Sequence, residues 1–249
     1  MGKDVLVISD IHGRGNELKL IIEKIKNRLD EFKIILLGDY IGYGKSNLEV
    51  IKMLKFLKEN SDCVILKGNW EDMFYTYLRN KKSEDDIDLL KIQSFRERGG
   101  IDVKRELFED KKMLNYYMNL IEKMPLIHTE MINKELFLFA HSGIDLFKND
   151  TNSETWRDLI NSQDEQDLLW NFNFYNNMKE NSSLLESLTF KIVSGHVPTQ
   201  VLDKSNNSGI YNLKDKILGV DFGASRKNGK LGLVNLSKEK FPICYQNVL

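Results

Sequence analysis

The 249-residue chain predicts a mixed α/β or α+β sandwich, and three observations carry the prediction. The first third alternates short apolar runs with amphipathic helical segments, the pattern of parallel strands joined by right-handed crossovers. The last part turns β-rich, with a hairpin and three closing strands. Between them a charged helical stretch at about 83–123, broken at Gly99-Gly100, reads as an inserted helical cap. The chain has three prolines and no Gly/Ser-rich linker, so residues 1–249 read as one domain.

Taken in order, "VLVIS" at 5–9 is a buried strand. A helix follows over "NELKLIIEKIKNRL", with Leu18, Ile21, Ile22, Ile25 and Leu29 on one face. "KIILL" at 33–37 is the second strand, and Ser46 with Glu49 predicts a capping box for the helix "LEVIKMLKFLKE". "CVIL" is the third strand, with a third helix starting at 71–80. "LIHTEMI" and "ELFLFA" flank Asn133-Lys134 as a hairpin. A helical passage around 154–188 leads to the strand "FKIVS". "ILGVDFG", "KLGLVNL" and "PICYQNV" close the chain, with turn chemistry at Asn228-Gly229.

Composition narrows the class. Apolar residues are 41%, charged residues 29% and the net charge −1, a balance typical of globular proteins without a nucleic-acid footprint. The apolar runs are far too short to cross a bilayer. Cys63 and Cys244 sit inside apolar runs and read as packed thiols of a reducing compartment. A strand beginning by Val5 leaves no room for a signal peptide. The expected location is the cytoplasm; oligomeric state is left open.

The strand ends carry the chemistry. The first ends in Ser9-Asp10-Ile11-His12-Gly13, the second in Gly38-Asp39 and the third in Gly68-Asn69; the hairpin ends in His141, and "FKIVSG" in His196. Ligands of open α/β sheets bind at such carboxyl ends. Each residue alone has an ordinary explanation, as a helix cap or a satisfied polar group. Six together, drawn only from Asp, His and Asn, form a donor set for Mn, Fe or Zn. Asp10 and His12, two apart on extended chain, are expected to face one side. His128 lies within "LIHTEMI" and reads as an ordinary strand residue.

"DIHG", "GDYIGYG", "GNWE", "AHSG" and "SGHVPT" resemble, in order, the five blocks of the calcineurin-like metallophosphoesterases, closest to the phosphoprotein-phosphatase branch (Ser/Thr phosphatase and diadenosine tetraphosphatase-like). "RERGGIDV", "LLWNFNF" and "GVDFGASRKNGKLGLVNL" look like that branch's cap segment, Trp-containing loop and closing strands. The resemblance implies a four-layer sandwich of two mixed β-sheets flanked by helices. It also implies a two-metal site, with Asp10, His12 and Asp39 on one ion and Asp39, Asn69, His141 and His196 on the other. Hydroxide held between the ions would attack phosphorus in line, so Asp39 and His141 are candidate catalytic residues acting through the metals.

The chain departs from the branch in its leaving-group chemistry. Trp70 replaces the histidine that acts as general acid, and Gly42-Tyr43-Gly44 replaces the triplet carrying its aspartate and a phosphate-gripping arginine. Phe172 stands where related sequences often carry a second arginine. An indole has no proton to give. Trp70 is therefore either part of a stacking wall with Tyr43 or a plug between turn and cap. Arg14, Tyr43 and Trp70 are the candidate substrate-binding residues. The reading is a phosphoester hydrolase of the Ser/Thr-phosphatase type acting on a phosphorylated protein or nucleotide. Its alternatives are a nucleotide hydrolase (dinucleoside polyphosphatase or phosphodiesterase) and a catalytically weakened metal-binding protein.

Overall fold

The computed structural model describes residues 2–79, 85–148, 156–205 and 209–247. The first positions of the expected cap, 83–84, and of the helical passage, 154–155, lie outside them.

One sheet runs in the order β10-β9-β1-β2-β3. Its strands are β1 (Asp4–Ile8), β2 (Phe32–Leu36), β3 (Asp62–Ile65), β9 (Lys230–Asn235) and β10 (Ile243–Asn247). The second runs β4-β5-β6-β8-β7, from β4 (Ile127–Ile132), β5 (Glu135–Ala140), β6 (Phe190–Ser194), β7 (Tyr211–Leu213) and β8 (Ile217–Gly219). In the first sheet β1, β2 and β3 are parallel while β9 and β10 add antiparallel neighbours. In the second, the hairpin β4/β5 and the pair β7/β8 are antiparallel, but β5, β6 and β8 run parallel. Both sheets are thus mixed.

Side-chain alternation builds the layers. Val5, Val7, Ile35 and Val234 of the first sheet meet Phe137, Phe139, Val193 and Leu218 of the second in one buried cluster. The opposite faces, Leu6, Ile8, Ile34 and Leu36, pack on α1 (Gly15–Glu23), α2 (Asn47–Asn60) and α3 (Asn69–Arg79). Leu138, Ala140, Ile192 and Ile217 pack on side chains of the helical passage. That passage comprises α7 (Trp156–Asn161), α8 (Glu165–Trp170), α9 (Phe174–Glu180) and α10 (Leu184–Ser187); α11 (Thr199–Leu202) follows β6. The order is helix, sheet, sheet, helix. Each fully buried Ile, Leu, Val or Phe contributes about 1.5–3 kcal/mol, so the inter-sheet layer dominates the hold between the sheets.

The cap is α4 (Asp86–Glu97), α5 (Gly100–Leu107) and α6 (Lys111–Ile121). Asp85 and Asp110 cap α4 and α6 by accepting two backbone N–H bonds each. Phe95, Val103, Leu107 and Tyr117 join the cap to the core beside α2 and α3.

Four local expectations change. The first helix ends at Glu23, and a short 3₁₀ segment, Lys26–Glu31, follows; the tighter winding keeps Leu29 buried while returning the chain to β2. Ser46 makes no capping hydrogen bond. Glu106 of the cap instead accepts from Leu48 N at 2.8 Å and Asn47 Nδ2 at 2.7 Å, a stronger acceptor than a serine hydroxyl. Strands β8 and β9 belong to different sheets, so Asn228-Gly229 joins layers rather than closing a hairpin. Strand β7 is unannounced in the sequence, because its turn to β8 uses Lys214 and Asp215 with φ of 50° and 56°. The hairpin at Asn133-Lys134 forms as expected, both residues having positive φ.

Candidate metal centre

All six polar residues singled out at strand ends converge at one edge of the two sheets. The loops that bring them there are stitched together by backbone. His12 N donates to Asp39 O at 2.9 Å, Gly13 N to Tyr40 O at 2.8 Å and Gly195 N to His141 O at 2.9 Å. Asp10, His12, Asp39 and His196 are non-glycine residues with left-handed backbone, φ 44°, 48°, 53° and 68°. Asp10 and His12 therefore reach one side through a tight loop, not through the alternation of an extended chain. A side chain at Gly195 would collide with Ser9 Oγ and Asp10 Oδ2, which explains the glycine before His196.

Two donor groups share one carboxylate. Asp10, His12 and Asp39 form the first, and Asp39, His141 and His196 the second, with each group's ligand atoms within 4.8 Å of one another. His12 Nε2 lies 3.6 Å from Asp39 Oδ2 and 4.0 Å from Asp10 Oδ1. His141 Nε2 lies 3.4 Å from Asp39 Oδ1 and 3.1 Å from His196 Nδ1. Because His141 Nδ1–H donates to the Leu37 carbonyl at 2.9 Å, its Nε2 carries a lone pair into the site.

The inner surface is lined by carboxylate, imidazole and amide groups. The Asn69 side-chain oxygen sits 3.0 Å from His141 Nε2. Turning the amide would aim its nitrogen at both Asp39 oxygens at 3.0 and 3.1 Å. Turned that way the amide is satisfied by Asp39 and His141 alone, and only with its oxygen inward would it call for a cation. His12 Nδ1 and His196 Nε2 are buried without hydrogen-bond partners. Burial drives His12 down to about 3 and His141 to about 4, and holds His196 well below its ordinary value. All three imidazoles are neutral, the form that ligates. Burial also pushes Asp10 and Asp39 well above the usual carboxylate range, with Asp221 next in effect on Asp10, and Asp10 next on Asp39. Neutral imidazoles and crowded buried carboxylates fit a pair of dications.

The surroundings hold these groups in place. Ser9 Oγ donates to Asp10 Oδ2, and His196 N donates to both Asp10 oxygens at 3.0 and 3.1 Å. Trp70 N, at the start of α3, donates to Asp39 Oδ1 at 2.9 Å. Glu71, fully buried, accepts from Asp39 N, Tyr40 N and Gly68 N at 2.8, 3.0 and 3.1 Å, and from the cap's Tyr117 hydroxyl at 2.6 Å.

Of the two rings expected as a stacking wall, only Tyr43 reaches the surface, at 44% exposure; Trp70 is 1% exposed. The indole lies edge-on to Tyr43, His12 and Phe95, with ring centroids 5.0, 5.9 and 6.1 Å away. It fills the space between turn and cap. Arg14 Nε donates to the Ala224 carbonyl at 3.0 Å, and its charge, like that of Arg98, helps lower His12. His128 sits on β4, 3.1 Å from Glu130, outside the donor groups.

Sequence reasoning passed over Glu71, Asp221 and Arg98. Glu71 stands inside the quoted "GNWE", and Asp221 follows the end of β8 as Asp10 and Asp39 follow theirs. Burial lifts Asp221 to about 7. Arg98 stands inside the quoted "RERGGIDV", and the cap brings it near.

Among similar proteins, an uncharacterised protein of Methanocaldococcus jannaschii is 30% identical over 63% of this chain and 54% of its own. The symmetrical bis(5'-nucleosyl)-tetraphosphatase of Buchnera aphidicola subsp. Baizongia pistaciae is 26% identical over 74% of this chain and 60% of its own. The chain thus spans little more than half the length of these relatives. The cold-active protein-tyrosine phosphatase of a psychrophilic Shewanella shares the fold, with TM-score 0.59 and 16% identity over 100% of this chain and 81% of that one. Residues 3–224 match the family described as calcineurin-like phosphoesterase, and with its donor residues gathered at the strand ends the chain belongs to that family.

Proposed function

We propose that the chain is a metal-dependent phosphoester hydrolase whose two ions are held by Asp10, His12, Asp39, Asn69, His141 and His196. The observation that carries this reading is the sharing of Asp39 between two groups of Asp and His donors, each group's ligand atoms within 4.8 Å of one another. Dications held by these residues would supply a nucleophilic water near neutral pH and offset the phosphate's charge. Mn, Fe and Zn all suit the donor set.

The chain's own residues orient that chemistry. The Leu37 carbonyl fixes the His141 tautomer. Glu71 and the Trp70 N–H hold Asp39 from its backbone and side-chain ends. Arg14 and Arg98 bring positive charge toward His12. No proton donor stands at position 70, so the leaving oxygen departs without help from that side. Esters with good leaving groups are accordingly favoured.

The scaffold is that of the Ser/Thr-phosphatase type, and the cap and sandwich act as one domain. Hydrolysis of nucleotides is the second reading, favoured by the half-exposed Tyr43 ring and consistent with the name of the Buchnera relative. No helix among the described residues is long and apolar enough to cross a membrane.

The test is a rate series over aryl and alkyl phosphate esters with protein stripped by chelation and then reloaded with Mn²⁺. Stripped protein should be inactive. Reloaded protein should turn over aryl esters readily and alkyl esters poorly, since a general acid is worth typically about 10²–10⁴-fold on poor leaving groups. Bound ions with no turnover of any ester would remove the hydrolase reading, and equal rates across the series would reveal another proton donor.

A further inference from the structure

The donor array has a ring at each end. Tyr43 stands over His12, centroids 5.2 Å apart at 67°. Phe172, on the turn after α8, stands over His196, centroids 4.2 Å apart at 45°. Both rings are about half exposed, at 44% and 49%. The remaining faces are apolar surface left in water beside a highly polar site. Single exposed aromatics are ordinary. Two of them, each in contact with a different imidazole of one candidate metal centre, are a pattern.

Resting on the hydrolase reading above, we propose that Tyr43 and Phe172 form a two-sided aromatic clamp selecting phosphodiesters that carry a flat ring on each side of phosphorus. Three properties of the rim agree. A diester has one negative charge where a monoester has up to two, and the rings add no cation to balance a second. His12 and His196 lie in different donor groups joined through Asp39, so a phosphorus above Asp39 has one ring toward either side. A cleft of about 450 Å³ opens beside Tyr43, lined by Gly42, Gly44, Arg98 and Gly99 among others, with room for a substituent beyond the first ring.

The reaction adds water across one ester bond. A P–O bond forms to the water oxygen, and one P–O bond to a ring-bearing group breaks, its oxygen leaving with the electron pair and taking a proton from water. The products are a monoester and a phenol or alcohol. Each retains one ring, so each is held by half the clamp and leaves more easily than the substrate binds.

The experiment measures kcat and KM of Mn²⁺-loaded protein on bis(4-nitrophenyl) phosphate, methyl 4-nitrophenyl phosphate and 4-nitrophenyl phosphate. The two diesters share a leaving group and differ in the second ring. Tyr43→Ala and Phe172→Ala should each raise KM for the two-ring ester about 5- to 150-fold, the range of one lost stacking contact, and change the methyl ester less. Tyr43→Phe and Phe172→Tyr, which keep a ring, should restore the two-ring preference lost in the alanine variants, with metal content unchanged in all four variants. Equal losses on all three esters, or none on the two-ring ester, would overturn the clamp. Calorimetric binding of diphenyl phosphate against phenyl phosphate separates the two readings. A ring-dependent preference without turnover would leave the clamp and remove the hydrolase, whereas turnover without preference would do the reverse.

Discussion

The floor of the site and its rim are held very differently. On the floor, Asp39 alone is restrained through its backbone N–H by Glu71, its carbonyl by His12 N and its carboxylate by Trp70 N. On the rim, Tyr43 and Phe172 leave about half their surface in water and lean chiefly on neighbouring rings. Charged chemistry demands donor atoms fixed within tenths of an ångström, while recognition of flat groups tolerates adjustable rings. Substitutions on the floor should therefore abolish function, and those on the rim should redirect it.

Asp39→Asn attacks the floor at its shared residue and has the largest expected effect. Ion content should fall from two per chain to one or none and turnover to background, because an amide cannot neutralise charge between two cations. Elemental analysis beside an aryl ester assay checks this. Two ions with normal turnover would dissolve the distinction between floor and rim.

Acid should empty the floor without variants. Burial holds the Asp10 and Asp39 carboxyls well above their ordinary 3.8, so these groups take up protons on acidification before an exposed aspartate would. Raised carboxyls add stability to the metal-free fold below the unfolded value of 3.8 and lose that contribution as pH rises through their folded values. The depressed histidines do the opposite, adding stability above 6.5 and losing it as pH falls toward about 3 and 4. Mn²⁺ affinity should weaken by about tenfold per pH unit for each proton it must displace, starting well above 3.8. Calorimetric titration of Mn²⁺ at successive pH values measures the slope, and a flat profile would place the carboxylates outside the metal site.

Trp70→His lies between floor and rim. Loss of a buried indole should lower stability by roughly 2–4 kcal/mol, read by denaturant unfolding. The steep leaving-group dependence should persist, because Gly42 offers no carboxylate to orient the new ring. Adding Gly42→Asp is opposed by geometry: Gly42 has φ 143°, and a side chain there would approach His12 Nδ1 to 2.9 Å. The double variant should thus lose metal rather than gain an acid. His128→Ala, outside both regions, should leave turnover and ion content unchanged.

The sequence made the floor legible and the rim only partly so. Floor residues announce themselves because an apolar strand ending in Asp, His or Asn is a local pattern, and five such ends in order are hard to produce otherwise. Their backbone was not legible: alternation placed Asp10 and His12 on one side for the wrong reason. Trp70 had two readings because only tertiary contact with Phe95 and Tyr43 decides between wall and plug. The helix α2 shows the same limit, its expected serine cap supplanted by Glu106 from a helix far along the chain. Phe172 could be seen as a departure from related sequences, but its contact with His196 belongs to the fold.

Four donor residues adopt a backbone that glycine would adopt freely. Each left-handed Asp or His costs about 1 kcal/mol relative to an unstrained residue, and Asp10, His12, Asp39 and His196 all sit there. The same four positions are thus where thermal robustness and ion binding pull a lineage in opposite directions. Laboratory selection for heat resistance alone should drift toward glycine at these sites and discard the ions. Selection that also requires the ions should hold the four residues and find its stabilising changes elsewhere.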